Sequence, residues 1–508
     1  MNDVPESSIV SSQSISIGKH FCDDLPTKFQ PHIGNILVTG ASGYIGGRLV
    51  PELLVRGYKV SVMVRGASPE YLTLWPGVKV TVADAYDIER LRIALTGIDT
   101  AYYLIHSLRL GPKKFASADM HAAKNFKQAA EEMNTKRIIY LGGLGDIRSS
   151  LSSHLRSRAE VAEILKGGKI PATILRAAVI VGSGSASYEI IQDLVRKLRI
   201  ILVPSWAKNN CQPIAIRDVI KYLVGVLETP QTSGKSFDIG GKDILTYEIM
   251  LEELAKILRK KIIFLPVAFS NISFYAYIAS LVTRVPASIT ECLMEGLKNE
   301  VICHDDSIKS DIPFETLSYK EAIVKAMSRE EQDKVYTRWS DAYPPAHELA
   351  IKLHELKKKP AYTAGYSLLT DKPTHALFNS ICRIGGREGW FHSNWLWRLR
   401  GSIDRVLLGV GSVRGRKSQT SVKINDVIDF WRIEDLKDNE RLLLRAEMKI
   451  PGRAWLEFRI AAEDNKKRLS IQAHYDTQSV FGVMYWYVCL PLHHFIFHNL
   501  IREIERRS

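Results

Sequence analysis

Ile36-Leu37-Val38-Thr39-Gly40-Ala41-Ser42-Gly43-Tyr44-Ile45-Gly46-Gly47 decides how this chain is read. The apolar run ending at Val38 reads as a buried strand and residues 47–56 as a helix, so the glycines sit on a strand–turn–helix junction. Gly40 permits a tight turn off the strand. Gly43 lets the backbone approach a pyrophosphate, and Gly46 lets the helix pack close to the sheet. The helix start offers unpaired N–H groups and the positive end of its dipole, both suited to phosphate. Gly40, Ser42, Gly43, Tyr44, Ile45 and Gly46 are therefore the expected cofactor loop of a dinucleotide-binding domain.

Working outward, residues 59–64, 78–82, 100–105, 137–141 and 173–181 read as further strands. Helices are expected between them, at 119–132 and 154–166 among others. That alternation predicts a parallel sheet covered on both faces. The second strand ends on Arg65, where an NAD-preferring site keeps an acidic residue about twenty positions past the glycine turn. A guanidinium there suits a 2′-phosphate, so NADP is expected over NAD. Asp84, just past the third strand, lies where this fold contacts adenine, and His106 follows the fourth.

At 508 residues the chain exceeds what one core organises, and at least two domains are expected. Six scattered cysteines without a C-x-x-C pair exclude a disulfide framework and a cysteine zinc site, and fit a reducing, cytoplasmic compartment. The net charge of +14 invites a nucleic-acid reading, but the basic residues are interleaved with acids and a nucleic-acid motif is lacking. Residues 1–33, rich in Ser and Asp, read as a flexible tail. Residues 262–283 and 477–501 carry no formal charge. Prolines and polar residues interrupt both, so they are expected as buried helices, with peripheral membrane contact left open.

A second regime begins near residue 330. The polar stretch 331–360, ending in Lys357-Lys358-Lys359-Pro360, has linker chemistry. Beyond it, Leu442/Leu444/Ala446/Met448, Ala454/Leu456/Phe458/Ile460 and Leu469/Ile471/Ala473/Tyr475 alternate with period two, giving an antiparallel meander. Helical patterns at 373–383, 395–408 and 490–505 flank it. The expected C-terminal domain is a curved sheet wrapped around a long helix and enclosing a pocket. Trp390, Trp395, Trp397, Trp431, Trp455 and Trp486 serve as its core or as a cage for a flat apolar ligand. His493, His494 and His498 lack a partner set for a metal.

The glycine loop, with Gln212-Pro213-Ile214-Ala215-Ile216-Arg217-Asp218-Val219 and Phe237-Asp238-Ile239-Gly240-Gly241, resembles extended and atypical short-chain dehydrogenase/reductases of the NmrA-like and epimerase-like kind. His154-Leu155-Arg156-Ser157-Arg158, Val285-Pro286-Ala287-Ser288 and Gly386-Arg387-Glu388-Gly389-Trp390 resemble bacterial atypical members fused to a C-terminal domain of unknown function. The last part is similar in architecture to the helix-grip superfamily, whose members hold apolar ligands. The resemblance implies an α/β fold: a doubly wound parallel Rossmann sheet over residues 34–330, and an α+β helix-grip-like domain over 361–508.

The same resemblance implies a catalytic Tyr, a Lys four residues on and a Ser. Register puts His154 at the Tyr position and Arg158 at the Lys position, and the Ser position falls in Leu141-Gly142-Gly143-Leu144-Gly145, which has no hydroxyl. His154 as proton donor and Arg158 as its cationic neighbour are the catalytic candidates, sharing one helix face. Two readings follow: an NADP-dependent oxidoreductase for a bulky apolar lipid, isoprenoid or quinone-like substrate, or a non-catalytic NAD(P)H-binding sensor or assembly factor. Oligomeric state is not legible.

Overall fold

The computed structural model describes residues 20–66, 71, 74–106, 115–145, 151–328, 353–356, 358–386, 388–391, 394–407, 409–411, 414, 416, 422–424 and 426–508. Its first half contains strands β1 (Asn35–Thr39), β2 (Lys59–Val64), β3 (Lys79–Val82), β4 (Thr100–Tyr103), β5 (Arg137–Gly143), β6 (Ala172–Ala177), β7 (Ile200–Pro204), β8 (Ser236–Ile239) and β9 (Ile263–Val267). Its helices include α1 (Gly46–Val55), α2 (Ile88–Leu95), α3 (Phe115–Glu132), α4 (Ser153–Lys166), α5 (Ala186–Lys197), α6 (Ile216–Glu228) and α7 (Ile272–Val282).

Seven strands form one sheet in the order β8-β6-β5-β4-β1-β2-β3, every pairing parallel. β1 alternates between two cores. Ile36 and Val38 pack with Leu49 of α1 and Leu223 of α6, while Leu37 packs with Leu91 of α2, Phe126 of α3 and Leu165 of α4. A strand buried on both faces has to be apolar throughout, which is why β1 shows no alternation in sequence. Chain order reverses between β1 and β4, the place where a doubly wound sheet opens a crevice at its carboxyl edge.

Three expectations about this half need correction. The strand expected over 173–181 stops at Ala177, and a short strand, Ile180–Val181, leaves the sheet to pair with Ile214–Ala215. The tail expected over 1–33 is strapped down from residue 20 onward. The Glu52 carboxylate accepts the backbone N–H groups of Phe21 and Cys22 at 2.8 and 3.1 Å, and Cys22 and Leu25 are buried. Residues 262–283 are not one buried helix but β9 followed by α7; β9 pairs with β7 outside the main sheet.

The second half is an antiparallel sheet in the order β10-β15-β14-β13-β12-β11. Its strands are β10 (Tyr362–Thr370), β11 (Val427–Ile428), β12 (Trp431–Lys437), β13 (Arg441–Ala446), β14 (Arg453–Glu463) and β15 (Lys466–Asp476), with helices α8 (Thr374–Ile381), α9 (Asn394–Val406) and α10 (Val480–Arg506). The meander expected from period two is β13-β14-β15, antiparallel in register. The linker expected over 331–360 lies mostly outside the described residues.

The tryptophans resolve into core. Trp390 stacks on Trp397 at 4.2 Å, and Trp390 and Trp455 donate their indole N–H groups to Asp429 and Glu434 at 2.8 and 2.9 Å. Trp395 is the exception, 62% exposed. His494 and His498 approach the Tyr366 ring edge-on, so both serve packing. The last helix differs most from expectation. α10 begins ten residues earlier than the expected 490–505 and carries Pro491 in its interior. Its second half is built into the core through Phe497, Leu500, Ile501 and Ile504, while its first half is exposed.

Candidate functional site

Two clusters meet at the carboxyl edge of the parallel sheet. The first is the glycine turn. Gly40 sits at φ +62°, and a Cβ there would lie 2.6 Å from the Leu104 carbonyl oxygen, just past β4. At Gly46 a Cβ would lie 2.5 Å from the Gly40 carbonyl oxygen. Side chains are thus excluded where the turn passes beneath the next strand and where α1 begins. The Gly43 amide donates to the Gly40 carbonyl at 2.9 Å and closes the turn. Thr39 Oγ1 donates to the Tyr102 carbonyl and accepts from the Leu104 amide, which fixes the ends of β1 and β4 side by side. Arg48 of α1 folds over the Tyr44 ring and donates to the Ser183 carbonyl at 2.7 Å. The chain therefore offers a glycine-spaced turn running into a helix N-terminus, a cradle that fits a pyrophosphate.

At the outer flank of this turn, Arg65 Nε and Asp84 Oδ2 pair at 3.1 Å. Asp84 Oδ1 also accepts the Tyr86 amide at 2.9 Å, which aims the carboxylate at Arg65. The two residues expected to contact the adenosine end are thus brought together, and each partly neutralises the other.

The second cluster lies two residues beyond Leu104. His106 Nδ1 is 2.8 Å from Asp119 Oδ2. A carboxylate only accepts, so Nδ1 carries the proton and Nε2 is left as an acceptor. His154, on the first turn of α4, places its ring 5.2 Å from that of His106, and Phe115 packs 6.0 Å from the His154 ring. His106 Nε2 and His154 Nδ1 are both buried with no partner among the described residues. Burial, opposed by Asp119 and helped by Arg158, holds His106 below the ordinary histidine value. Burial, His106 and Arg158 together hold His154 well below it. Both rings are uncharged at neutral pH.

Arg158 departs from expectation. One guanidinium nitrogen donates to the Leu141 carbonyl at the end of β5, and the group lies 4.9 Å over the Tyr140 ring. Gly142 and Gly143 make this close approach of α4 to β5 practicable, since a Cβ on Gly143 would meet Leu155 at 3.1 Å. Arg158 is directed at β5, although Nη1 is buried without a hydrogen-bond partner among the described residues.

Sequence reasoning missed Asp119. It stands on the stripe of α3 that also buries Phe115, Ala118, Ala122 and Phe126, and it is 2% exposed. A lone acid on an apolar stripe was the available signal, because a buried carboxylate requires a partner.

The sequence matches the NmrA-like family over residues 33–341 and a family described as protein of unknown function (DUF2867) over 357–500. It is 27% identical over 231 residues to subunit 9 of the NADH dehydrogenase [ubiquinone] 1 alpha subcomplex of Arabidopsis thaliana, covering 44% of this chain and 58% of that protein. It is 25% identical to the photosystem II assembly factor Ycf39 of Cyanophora paradoxa, covering 52% and 82%. With the divinyl chlorophyllide a 8-vinyl-reductase of Arabidopsis thaliana the identity is 23%, covering 52% and 66%. Among solved structures, the triphenylmethane reductase of Citrobacter sp. is similar at a TM-score of 0.48 and 21% identity, covering 58% of this chain and all of that one.

Proposed function

This chain belongs to the NmrA-like family of NAD(P)-binding Rossmann proteins, and on that premise we propose that it is an NADP-dependent reductase of a bulky apolar carbonyl, enone or quinone-like compound. The observation that carries the proposal is the Asp119–His106 pair beside His154, with buried, unpartnered imidazole nitrogens on both rings at the edge of the cofactor crevice. A purely structural pair of histidines would be expected to satisfy those nitrogens.

The reduced nicotinamide, when bound, supplies a hydride to the substrate carbon. His154 in its protonated form donates a proton to the substrate oxygen and is then reprotonated from solvent. Its depressed pKa makes that form scarce at neutral pH but strongly acidic. His106, oriented by Asp119, holds an acceptor in the same space and keeps the His154 ring in place. Gly40, Ser42, Gly43, Tyr44, Ile45 and Gly46 cradle the pyrophosphate, and Arg65 faces the 2′-phosphate, with Asp84 setting its position.

One observation favours the non-catalytic reading, a sensor or assembly factor. Arg158 is engaged with Leu141 and Tyr140, as a structural cation would be. NADPH consumption with a panel of apolar carbonyls, enones and quinones separates the two. In the enzyme reading, His154→Phe lowers the chemical step by about a hundredfold or more while NADPH affinity holds. Equal turnover in that variant removes His154 from the mechanism, and tight NADPH binding without turnover across the panel supports the non-catalytic reading.

A further inference from the structure

The molecule exposes apolar residues on three helices and a small sheet that neighbour one another in series. On α10, Phe481, Met484, Val488, Leu492 and Phe495 recur at helical spacing and are 72%, 59%, 68%, 46% and 50% exposed. On α9, Trp395, Leu399, Ile403 and Val406 form a second stripe, 62% to 47% exposed. On α7, Phe274, Ile278 and Leu281 form a third. Arg400 of α9 lies beside Tyr485 of α10, and Tyr277 of α7 donates to the Val406 carbonyl at 3.5 Å. Beside α7, β7 and β9 pair Ile200 with Ile263 and Leu202 with Leu265, all four exposed.

We propose that this face docks on the surface of an anionic lipid bilayer, in contact with one leaflet and without crossing it. Isolated exposed leucines are ordinary, but faces this extensive on neighbouring elements mark a binding surface. Charge selects the lipid. The stretches 262–283 and 477–501 contain no Asp, Glu, Lys or Arg. Immediately before the two exposed strands stand Arg196, Lys197 and Arg199, and Arg259, Lys260 and Lys261, all of them exposed. Lys197 Nζ reaches the Val282 carbonyl at 2.7 Å, which places that basic run at the end of α7. A bilayer with anionic headgroups matches an apolar surface with a basic rim: acyl chains take the first, and phosphates the second.

α10 is also long and apolar enough to cross a membrane. Its opposite face argues against crossing. Gly482 and Trp486 are buried even in the exposed half, and Phe497, Leu500 and Ile501 are locked in the domain core. The helix is held along the surface. This inference does not depend on the redox reading, although a lipid-side position would suit an apolar substrate.

Flotation of the full chain with phosphatidylcholine vesicles, with or without phosphatidylserine, provides the test. The protein floats with the mixed vesicles and less with phosphatidylcholine alone, and raised salt weakens the association. Val488→Glu and Phe481→Glu each reduce the floated fraction at least tenfold with an unchanged melting temperature, since both side chains are already in water. Lys261→Glu with Arg199→Glu abolishes the preference for phosphatidylserine. No flotation of the wild type, or equal flotation of Val488→Glu, overturns the proposal. So does a concentration-dependent dimer in sedimentation that Val488→Glu dissociates while vesicles are ignored, because the face then pairs copies of the chain.

Discussion

Arg65 illustrates how a residue's identity and its setting carry different information. Its place at the end of β2 could be read from the sequence, but its 3.1 Å pairing with Asp84 could not, since the two residues follow separate strands. Arg65→Ala removes a charge-assisted contact worth roughly 1.5–3 kcal/mol, so NADPH affinity falls about ten- to a hundredfold while NADH affinity is little changed. Asp84→Asn goes the other way for the phosphorylated cofactor. Without the carboxylate the guanidinium turns fully to the 2′-phosphate, and the NADPH-to-NADH affinity ratio rises in fluorescence titration. A ratio unmoved by both changes rules out the 2′-phosphate assignment. His154 gives a prediction in pH. Its folded value lies well below 6.5, so the imidazolium fraction grows as pH falls through neutrality. Chemically limited turnover therefore rises toward acid and levels off only below that depressed value. Stability has the opposite sign. Below 6.5 the unfolded state binds a proton that the folded state resists, so His154 and His106 weaken the fold over the window in which turnover is rising. The glycines and His154 were legible because each answers a local requirement. Asp119 and the turn of Arg158 toward β5 depend on tertiary neighbours.

At the scale of the element, period and apolarity were good guides wherever one rule governed the whole segment. β2 matches its expected bounds, and β14 and β15 follow their alternation because one face of each is the more buried, while β13 is buried on both faces. β10 and β12 escaped notice for opposite reasons. β10 alternates partly buried with exposed residues, a faint version of the pattern next to lysine-rich linker chemistry. β12 reads Trp431-Arg432-Ile433-Glu434-Asp435, polar enough for a loop, yet its first four residues are buried. Ion pairs explain how. Arg432, 0% exposed, bonds Glu447 at 2.7 Å, and Arg414 takes the other oxygen of the same carboxylate at 2.7 Å. Glu447→Ala strips two buried guanidinium groups of their shared counter-charge. The expected loss is about 3–5 kcal/mol, a large share of a domain's ~5–15 kcal/mol. Urea unfolding followed by tryptophan fluorescence reads it directly, given Trp390, Trp397, Trp431 and Trp486 in that core. A loss below about 1 kcal/mol would mean that the cations find other partners.

At the scale of the molecule, a regime change near residue 330 announced two domains, but nothing in the sequence shows how they are latched. Arg405, on α9 of the second domain and 4% exposed, donates to the Thr283 and Val285 carbonyls just past α7 of the first. A cation at a helix C-terminus meets the negative end of the dipole and orphan carbonyls together. Burial, with Arg414 nearby, pushes its pKa down to about 10, so it remains charged at pH 7. Removing it leaves Thr283 and Val285 without that donor and opens a void between the domains. Arg405→Ala is therefore expected to uncouple them, turning one calorimetric transition into two, with the second domain melting first. Arg405→Lys keeps the charge but lacks the fork that reaches two carbonyls, and should fall between. Trypsin gives an independent readout. Lys358 and Lys359 are exposed at the start of the second domain, and cleavage there should quicken in Arg405→Ala before any other site is cut. A single transition and an unchanged digestion rate in Arg405→Ala would show that the domains are held by contacts other than this latch.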